Sequence, residues 1–264
     1  MYEPKYLYHY TSIENLALIL KNKTIRFSSL STVDDLREAK TEDFGEIGRF
    51  CFVSCWTDMK EESIPLWKMY TPNMTGVRIK LPIRPFEKYK ISKGSHYNEK
   101  EFYSYIDPNI HFSKDGSGYL FSPVEGEDFI YKVGYTKEES LIFPKIYECS
   151  DNSKSIKIKN IGKYKDDVWK FQEEWRYKLF FWPITMEEFK NIKSREEQNG
   201  LLSKVKEKDL PFQYYDLKID GEKFQEMEIL VGPRANDAQK IIIESLINKY
   251  NKGINVEDSI LSLR

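Results

Sequence analysis

Hydrophobic and polar positions along the chain change period from block to block, and the periods predict its elements. Lys5-Tyr6-Leu7-Tyr8-His9-Tyr10 is rich in β-formers and reads as a short strand. Thr11-Ser12-Ile13-Glu14 follows with capping-box spacing, a hydroxyl at the cap and a carboxylate three residues on. Ile13, Leu16, Ala17 and Leu20 then recur as the stripe of an amphipathic helix, and Thr24 to Ser28 reads as the next strand. Asp34 to Asp43 is acidic and helix-compatible. Arg49 to Trp56 predicts a strand, Ile64 to Tyr70 a short helix with Trp67 and Tyr70 on one face, and Gly76 to Leu81 another strand. Phe171 to Trp182 has a period of two: Trp175, Tyr177, Leu179 and Phe181 share one face, Gln172, Glu174, Arg176 and Lys178 the other. A charged helix from about Thr185 to Gln198 comes next, then strands near Phe212 to Leu217 and Met227 to Val231. Asn236 caps a helix running to about Tyr250, and Asn255 to Leu263 closes the chain as a strand. From Arg84 to Lys165 the periodicity fades, with strand candidates around Tyr119 to Phe121 and Phe129 to Tyr135. With no repeat and no low-complexity linker, the pattern predicts one α+β domain over residues 1–264, with 84–165 as an elaboration within it.

Composition narrows the classes. The 264 residues are 40% apolar and 15% aromatic, too rich for a disordered chain. Against 41 Lys+Arg stand 42 Asp+Glu, so a net charge of -1 supplies no global field toward nucleic acid or an anionic membrane. No stretch approaches the roughly 18 apolar residues of a membrane span, and the first residues lack the layout of a signal peptide. The 3 cysteines, Cys51, Cys55 and Cys149, are too few for a disulfide framework and fit a reducing cytoplasm. With only His9, His96 and His111 beside them, a closed four-ligand zinc site is not expected, and thiols buried in a strand are the plainer reading. The phosphate loop, GxGxxG, HExxH and GxSxG are absent, which removes the main support for kinases, dinucleotide oxidoreductases, zincins and α/β-hydrolases.

Four places hold candidate chemistry. His9 stands near the end of a strand, just before a capped helix, where ligands often bind; it also reads as a satisfied structural histidine. Gln172 and Glu174 would project side by side from a strand, with Arg176 beyond, an arrangement able to polarise a hydroxyl or stabilise a developing cation. The plainer alternative is the solvated face of an edge strand. Trp67 and Tyr70 suit either a ligand stack or the core. Lys154, Lys157, Lys159, Lys163 and Lys165 form a weak basic patch for an anionic acceptor, or a lysine-protected sheet edge.

Leu7-Tyr8-His9-Tyr10-Thr11-Ser12, Val33-Asp34-Asp35 with Glu38, Cys55-Trp56-Thr57, Leu66-Trp67-Lys68-Met69-Tyr70 and Gln172-Glu173-Glu174-Trp175-Arg176 resemble, in order, the motifs of a widespread bacterial domain family of unknown function. That family has YHYTS, NDP-E, Cys-Phe-Ser, MWxHY and ExEWR segments, and the Gly232-Pro233-Arg234 turn also fits. The chain departs from it at Asp34, Leu36, Met69 and Gln172. A first-strand His, a middle aromatic and a late Gln-x-Glu are in turn similar to the His-Tyr-Glu group of ADP-ribosyltransferases. The resemblance implies a split, mainly antiparallel β-sheet with flanking helices, and NAD as substrate. It implies that His9 and Thr11 meet a ribose of NAD, with Tyr10 beside them. It implies that Tyr70 or Trp67 stacks on nicotinamide, and that Glu174 accepts the ribose 2'-hydroxyl and stabilises the oxocarbenium-like state. Gln172 would orient the acceptor, a nucleic acid or protein, and Arg176 would steady Glu174 or meet the pyrophosphate. A toxin or phage-defence role in the bacterial cytoplasm, with a neutralising partner protein, goes with the family type. Two other readings stay open: a non-catalytic ligand- or nucleic-acid-binding domain on the same fold, and a nuclease or hydrolase using Glu174, His9 and an acid such as Asp35.

Overall fold

A computed structural model of the chain describes residues 3–93, 101–112, 118–122, 129–150, 153–192 and 207–262. Its centre is a sheet of 10 strands. In chain order they are β1 (Tyr6–Thr11), β2 (Thr24–Ser29), β3 (Cys51–Thr57), β4 (Val77–Pro82), β5 (Tyr119–Ser122), β6 (Ile130–Lys132), β7 (Glu174–Thr185), β8 (Tyr214–Lys218), β9 (Glu228–Val231) and β10 (Asn255–Asp258). The path runs β8-β2-β3-β1-β4-β9-β10, and β7 pairs with β3, β5 and β6. Its pairings are antiparallel except β9 with β10. The protein is a single α+β domain, as the periodicity predicts, with helices flanking a mainly antiparallel sheet, as the resemblance implies. Among the described residues no helix is long and apolar enough to cross a membrane.

β3 holds the feature on which the site depends. One of its edges is paired along its whole length by β7, from Phe180↔Cys51 to Glu174↔Thr57. The opposite edge is shared: β2 takes Phe52 and Val53, whereas β1 meets it through Tyr8↔Thr57. Between those contacts β1 and β2 diverge, and the sheet splits. Helix α1 (Ile13–Asn22) bridges the diverging strands, burying Leu16, Ile19 and Leu20. Ser12, not Thr11, is its cap, accepting from the Asn15 amide at 3.2 Å. Thr11 remains in β1, opposite Val77, which moves the predicted start of the helix by one residue.

Trp175, Tyr177, Leu179 and Phe181 of β7 enter the main core with Leu7, Phe27, Phe52 and Ile79. Phe180 enters a second core on the opposite face with Ile47, Phe50 and Ile161. β7 is therefore central and buried on both faces, which overturns the solvated-edge alternative. It also starts later than expected: Asp167–Gln172 is a 3-10 turn and Glu173 is left-handed, with φ 42°. Helix α2 (Ile64–Tyr70) and helix α3 (Asp237–Tyr250, capped by Asn236) form as predicted. The charged helix after β7 is a single turn, Met186–Lys190, with a capping box at Thr185; its expected continuation from residue 193 lies outside the described residues. Residues 34–43 form turns instead of a helix, because Asp35 Oδ1 accepts from the Arg37 amide at 3.0 Å and competes with helical bonding.

Candidate functional site

Where the sheet splits, a cleft of about 380 Å³ opens, within the size range of small-molecule sites. His9, Tyr10 and Thr11 of β1, Tyr70 of α2, and Glu174 and Arg176 of β7 all line it. A side recess of about 60 Å³ shares His9, Tyr10, Cys55, Tyr70 and Glu174 and adds Gln172. Segments far apart in sequence thus converge as expected, with one exception. Trp67 is fully buried, donates its indole N–H to Glu62 at 2.9 Å and packs edge-on against Tyr10; it belongs to the core. Tyr70, at the end of the same helix, is the aromatic that reaches the cleft.

The split leaves the Cys55 carbonyl without a strand partner on that edge, and His9 Nδ1 takes it at 2.8 Å. A carbonyl only accepts, so Nδ1 carries the proton and Nε2 is the free acceptor. Burial lowers the His9 pKa, which keeps the ring neutral. Thr11 Oγ1 accepts from the Asn15 side chain at 3.1 Å, and the Tyr10 hydroxyl accepts from the Ser63 amide at 3.1 Å.

The floor is a buried cluster of four charges. Arg176 donates from Nε to Glu174 Oε1 at 2.8 Å, and from Nη1 to Glu38 Oε2 at 2.5 Å and to the Gly162 carbonyl at 2.9 Å. Lys165 Nζ meets Glu174 Oε2 at 2.8 Å, Gln172 Oε1 at 2.9 Å and Glu38 Oε1 at 3.0 Å. Two carboxylates and two cations cancel, as buried charges require. Burial opposes ionisation of Glu174, but Arg176 and Lys165 outweigh it and hold its carboxyl at about 2. Glu38 goes the other way: burial raises its pKa more than the same two cations lower it. A hydrogen-bonded chain leads outward from this floor. Gln172 Nε2 donates to the Tyr70 hydroxyl at 2.5 Å, and the Asp34 carboxylate lies near that hydroxyl. Burial, then the Asp34 carboxylate, pushes the Tyr70 phenol far above its ordinary range. The Glu174 amide donates to the Tyr135 hydroxyl at 2.8 Å.

Lys165 corrects the surface-patch reading. It is 4% exposed and belongs to the cleft floor. Of the rest of the run, Lys157 pairs with Glu148, Lys163 lies beside the Tyr164 ring, and the Lys154 side chain lies outside the described residues. The backbone of this segment instead crosses the even face of β7. Lys178 Nζ donates to the carbonyls of Ile158, Lys159 and Ile161 at 3.2, 2.9 and 3.2 Å, Arg176 reaches Gly162, and Glu174 reaches Lys165. Arg176 is fully buried and hydrogen-bonded through Nε and Nη1 to Glu174, Glu38 and Gly162, an arrangement that steadies Glu174. Gln172 meets Glu174 through Lys165 from the end of the 3-10 turn, not from a shared strand.

Cys51 is buried and Cys55 half-buried, both free thiols, and burial pushes the Cys51 thiol up to about 11. The side chain of Cys149 and residue His96 lie outside the described residues. Among the described residues no group of three or more His, Cys, Asp or Glu side chains is placed to hold a metal. Asp35, the acid of the nuclease reading, is buried in its own turn and does not line the cleft. Glu38, Lys165, Asp34 and Cys55 are the site residues that sequence reasoning did not place there. No family model, curated protein or solved structure matches the chain.

Proposed function

We propose that the chain is an ADP-ribosyltransferase that binds NAD in the split-sheet cleft and transfers ADP-ribose to a macromolecular acceptor, a nucleic acid or a protein. The observation that carries this reading is the convergence of His9, Tyr70 and Glu174, from three separated segments, on one cleft. In the reaction the bond between ribose C1' and the nicotinamide nitrogen breaks and nicotinamide leaves with the electron pair. The acceptor nucleophile then closes on C1'. Glu174, ionised at any physiological pH, supplies the fixed negative charge that an oxocarbenium-like sugar needs and accepts the ribose 2'-hydroxyl. Neutral His9 accepts a ribose hydroxyl at Nε2. Tyr70 offers its ring to nicotinamide, and Gln172 orients the acceptor. Arg176 is a positioning residue for Glu174. A cytoplasmic site of action and a neutralising partner go with this reading.

A second reading has its own support. Both Glu174 oxygens are already taken, by Arg176 and Lys165, which suits a domain that binds a nucleotide without turning it over. Incubating the protein with labelled NAD and separate nucleic-acid and protein acceptors decides between them. Label transfer supports the transferase, and NAD binding without consumption supports the second reading. Absence of NAD binding sinks both.

A further inference from the structure

The cleft floor runs across four neighbouring strands, and the strand register fixes which residues share its face. Directly paired residues point the same way: Arg176↔Cys55 and Lys178↔Val53 between β7 and β3, Val53↔Ser28 between β3 and β2, Arg26↔Asp216 between β2 and β8. Arg176, Cys55, Val53, Ser28, Arg26 and Asp216 therefore form one row, and all of them line the cleft. Three strand-to-strand steps at about 4.8 Å each, widened where β2 leaves β3 beyond Ser28, separate its two ends by at least about 14 Å. That span suits an extended dinucleotide. If one ribose lies at Glu174, the opposite nucleoside reaches Arg26 and Asp216.

The chemistry of that far end is distinctive. Arg26 donates from Nε to Asp216 Oδ1 at 2.9 Å and from Nη2 to Oδ2 at 3.0 Å, a bidentate fork. One face of the same guanidinium lies over the Tyr214 ring, 3.6 Å from its centroid. The fork that would clamp a phosphate is thus occupied by a carboxylate, and the pair carries no net charge. The whole lining is balanced in the same way. Arg26, Lys165 and Arg176 stand against Asp34, Glu174 and Asp216, and each cation is in an ion pair.

We propose that Asp216, by its own charge and by occupying the Arg26 fork, sets cofactor specificity: the cleft takes the dinucleotide with a free 2'-hydroxyl on its adenosine ribose and rejects the 2'-phosphorylated form. The inference rests on the NAD reading of the cleft. A 2'-phosphate brings about -1.5 to -2 of charge to a carboxylate whose ion-pair partner among the described residues, Arg26, is already engaged. A ribose hydroxyl both donates and accepts, so it meets Asp216 and Arg26 at no such cost.

Equilibrium binding of NAD and of NADP to the full chain, followed by calorimetry, tests this, with thermal unfolding recorded for each variant. The wild type binds NAD at least about tenfold more tightly than NADP. Asp216→Asn frees the Arg26 fork and narrows the ratio to within about threefold by tightening NADP, as a bidentate guanidinium–phosphate contact predicts. Arg26→Gln keeps Asp216 in place and retains the NAD preference. NAD and NADP binding equally to the wild type, or a ratio that Asp216→Asn leaves unchanged, overturns the inference while leaving the NAD reading intact. A wild type that binds neither dinucleotide overturns the NAD reading itself, and this inference with it.

Discussion

Replacing Glu174 by Gln removes one charge from a balanced cluster. The consequence follows from the pKa held in the fold. Between an ordinary carboxyl at 4.5 and one held at about 2, with about 1.4 kcal/mol for each tenfold in acidity, the ionised Glu174 contributes on the order of 3 kcal/mol to stability at neutral pH. The sign is fixed by the depression: the contribution is complete above about 4.5 and is lost as pH falls through about 2. Glu174→Gln leaves Lys165 and Arg176 facing only Glu38, so a positive charge is stranded in the interior, a change that typically costs about 3–5 kcal/mol. For 264 residues, with about 2.1 cal/mol/K of unfolding entropy each, a loss of 3 kcal/mol lowers Tm by about 5 °C. Lys165→Met alone strands a negative charge in the same place. The double variant restores neutrality, with Glu38 and Arg176 still paired, and is less destabilised than the sum of the singles by at least about 1 kcal/mol. Urea unfolding of the four proteins completes the cycle. A coupling below about 0.5 kcal/mol, or a Glu174→Gln protein as stable as the wild type, refutes the balanced-cluster argument. The cycle also protects any activity test, because an inactive Glu174 single variant reports on folding as much as on chemistry.

His9 is held below its ordinary pKa of 6.5 by burial, so its folded form resists the proton that the unfolded chain accepts. Stability from this group is present above about 6.5 and is lost as pH falls through the folded value. Urea midpoints between pH 7.5 and 5 therefore fall less in His9→Gln than in the wild type, His111 contributing equally to both. Gly76→Ala places a Cβ 2.2 Å from the Thr11 carbonyl oxygen, a backbone collision that costs about 2–3 kcal/mol in thermal unfolding. Gly221→Ala, with nothing within 4 Å of its Cβ, stays within about 0.5 kcal/mol of the wild type.

Elements with a strong local signal were legible: β1, α1 and β2 follow from period, cap and β-propensity within a few residues. The start of α1 moved by one because Thr11 is claimed by its pairing with Val77, a tertiary contact that no local pattern contains. The convergence of His9, Tyr70 and Glu174 was legible only through motif order. The charges around Glu174 were missed for a physical reason. Lys165 sits in a lysine-rich stretch that reads as solvated, yet that stretch lies across the even face of β7 and is covered by it. A signal was present. Glu174, Arg176 and Lys178 alternate with large apolar residues, and the same polar face turns apolar at Phe180 and Trp182. A strand apolar on one face and partly so on the other is central, and charges on a central strand need buried counter-charges. Glu38 and Lys165 are those counter-charges.

The occupied oxygens of Glu174 also restrict what can enter the site. Lys165 Nζ donates to Gln172 and Glu174 and lies within ion-pair distance of Glu38, so a ligand that displaces one of the donated bonds must replace it. A phosphate oxygen only accepts; it would satisfy Lys165 and strand the buried Glu174 carboxylate. An ammonium group only donates; it would satisfy Glu174 and strand Lys165. A hydroxyl does both. Inserted between Nζ and Oε2 it accepts from one and donates to the other, and no buried charge loses a partner. Arg176 keeps its hold on Oε1 throughout, so the carboxylate stays in place while its second oxygen changes partners. The pairing that favours inert binding is therefore compatible with the transferase reading for one class of ligand, a sugar whose hydroxyl enters beside Lys165. On that reading Glu174 stays anionic during the exchange, because Arg176 still holds its carboxyl well below the usual range.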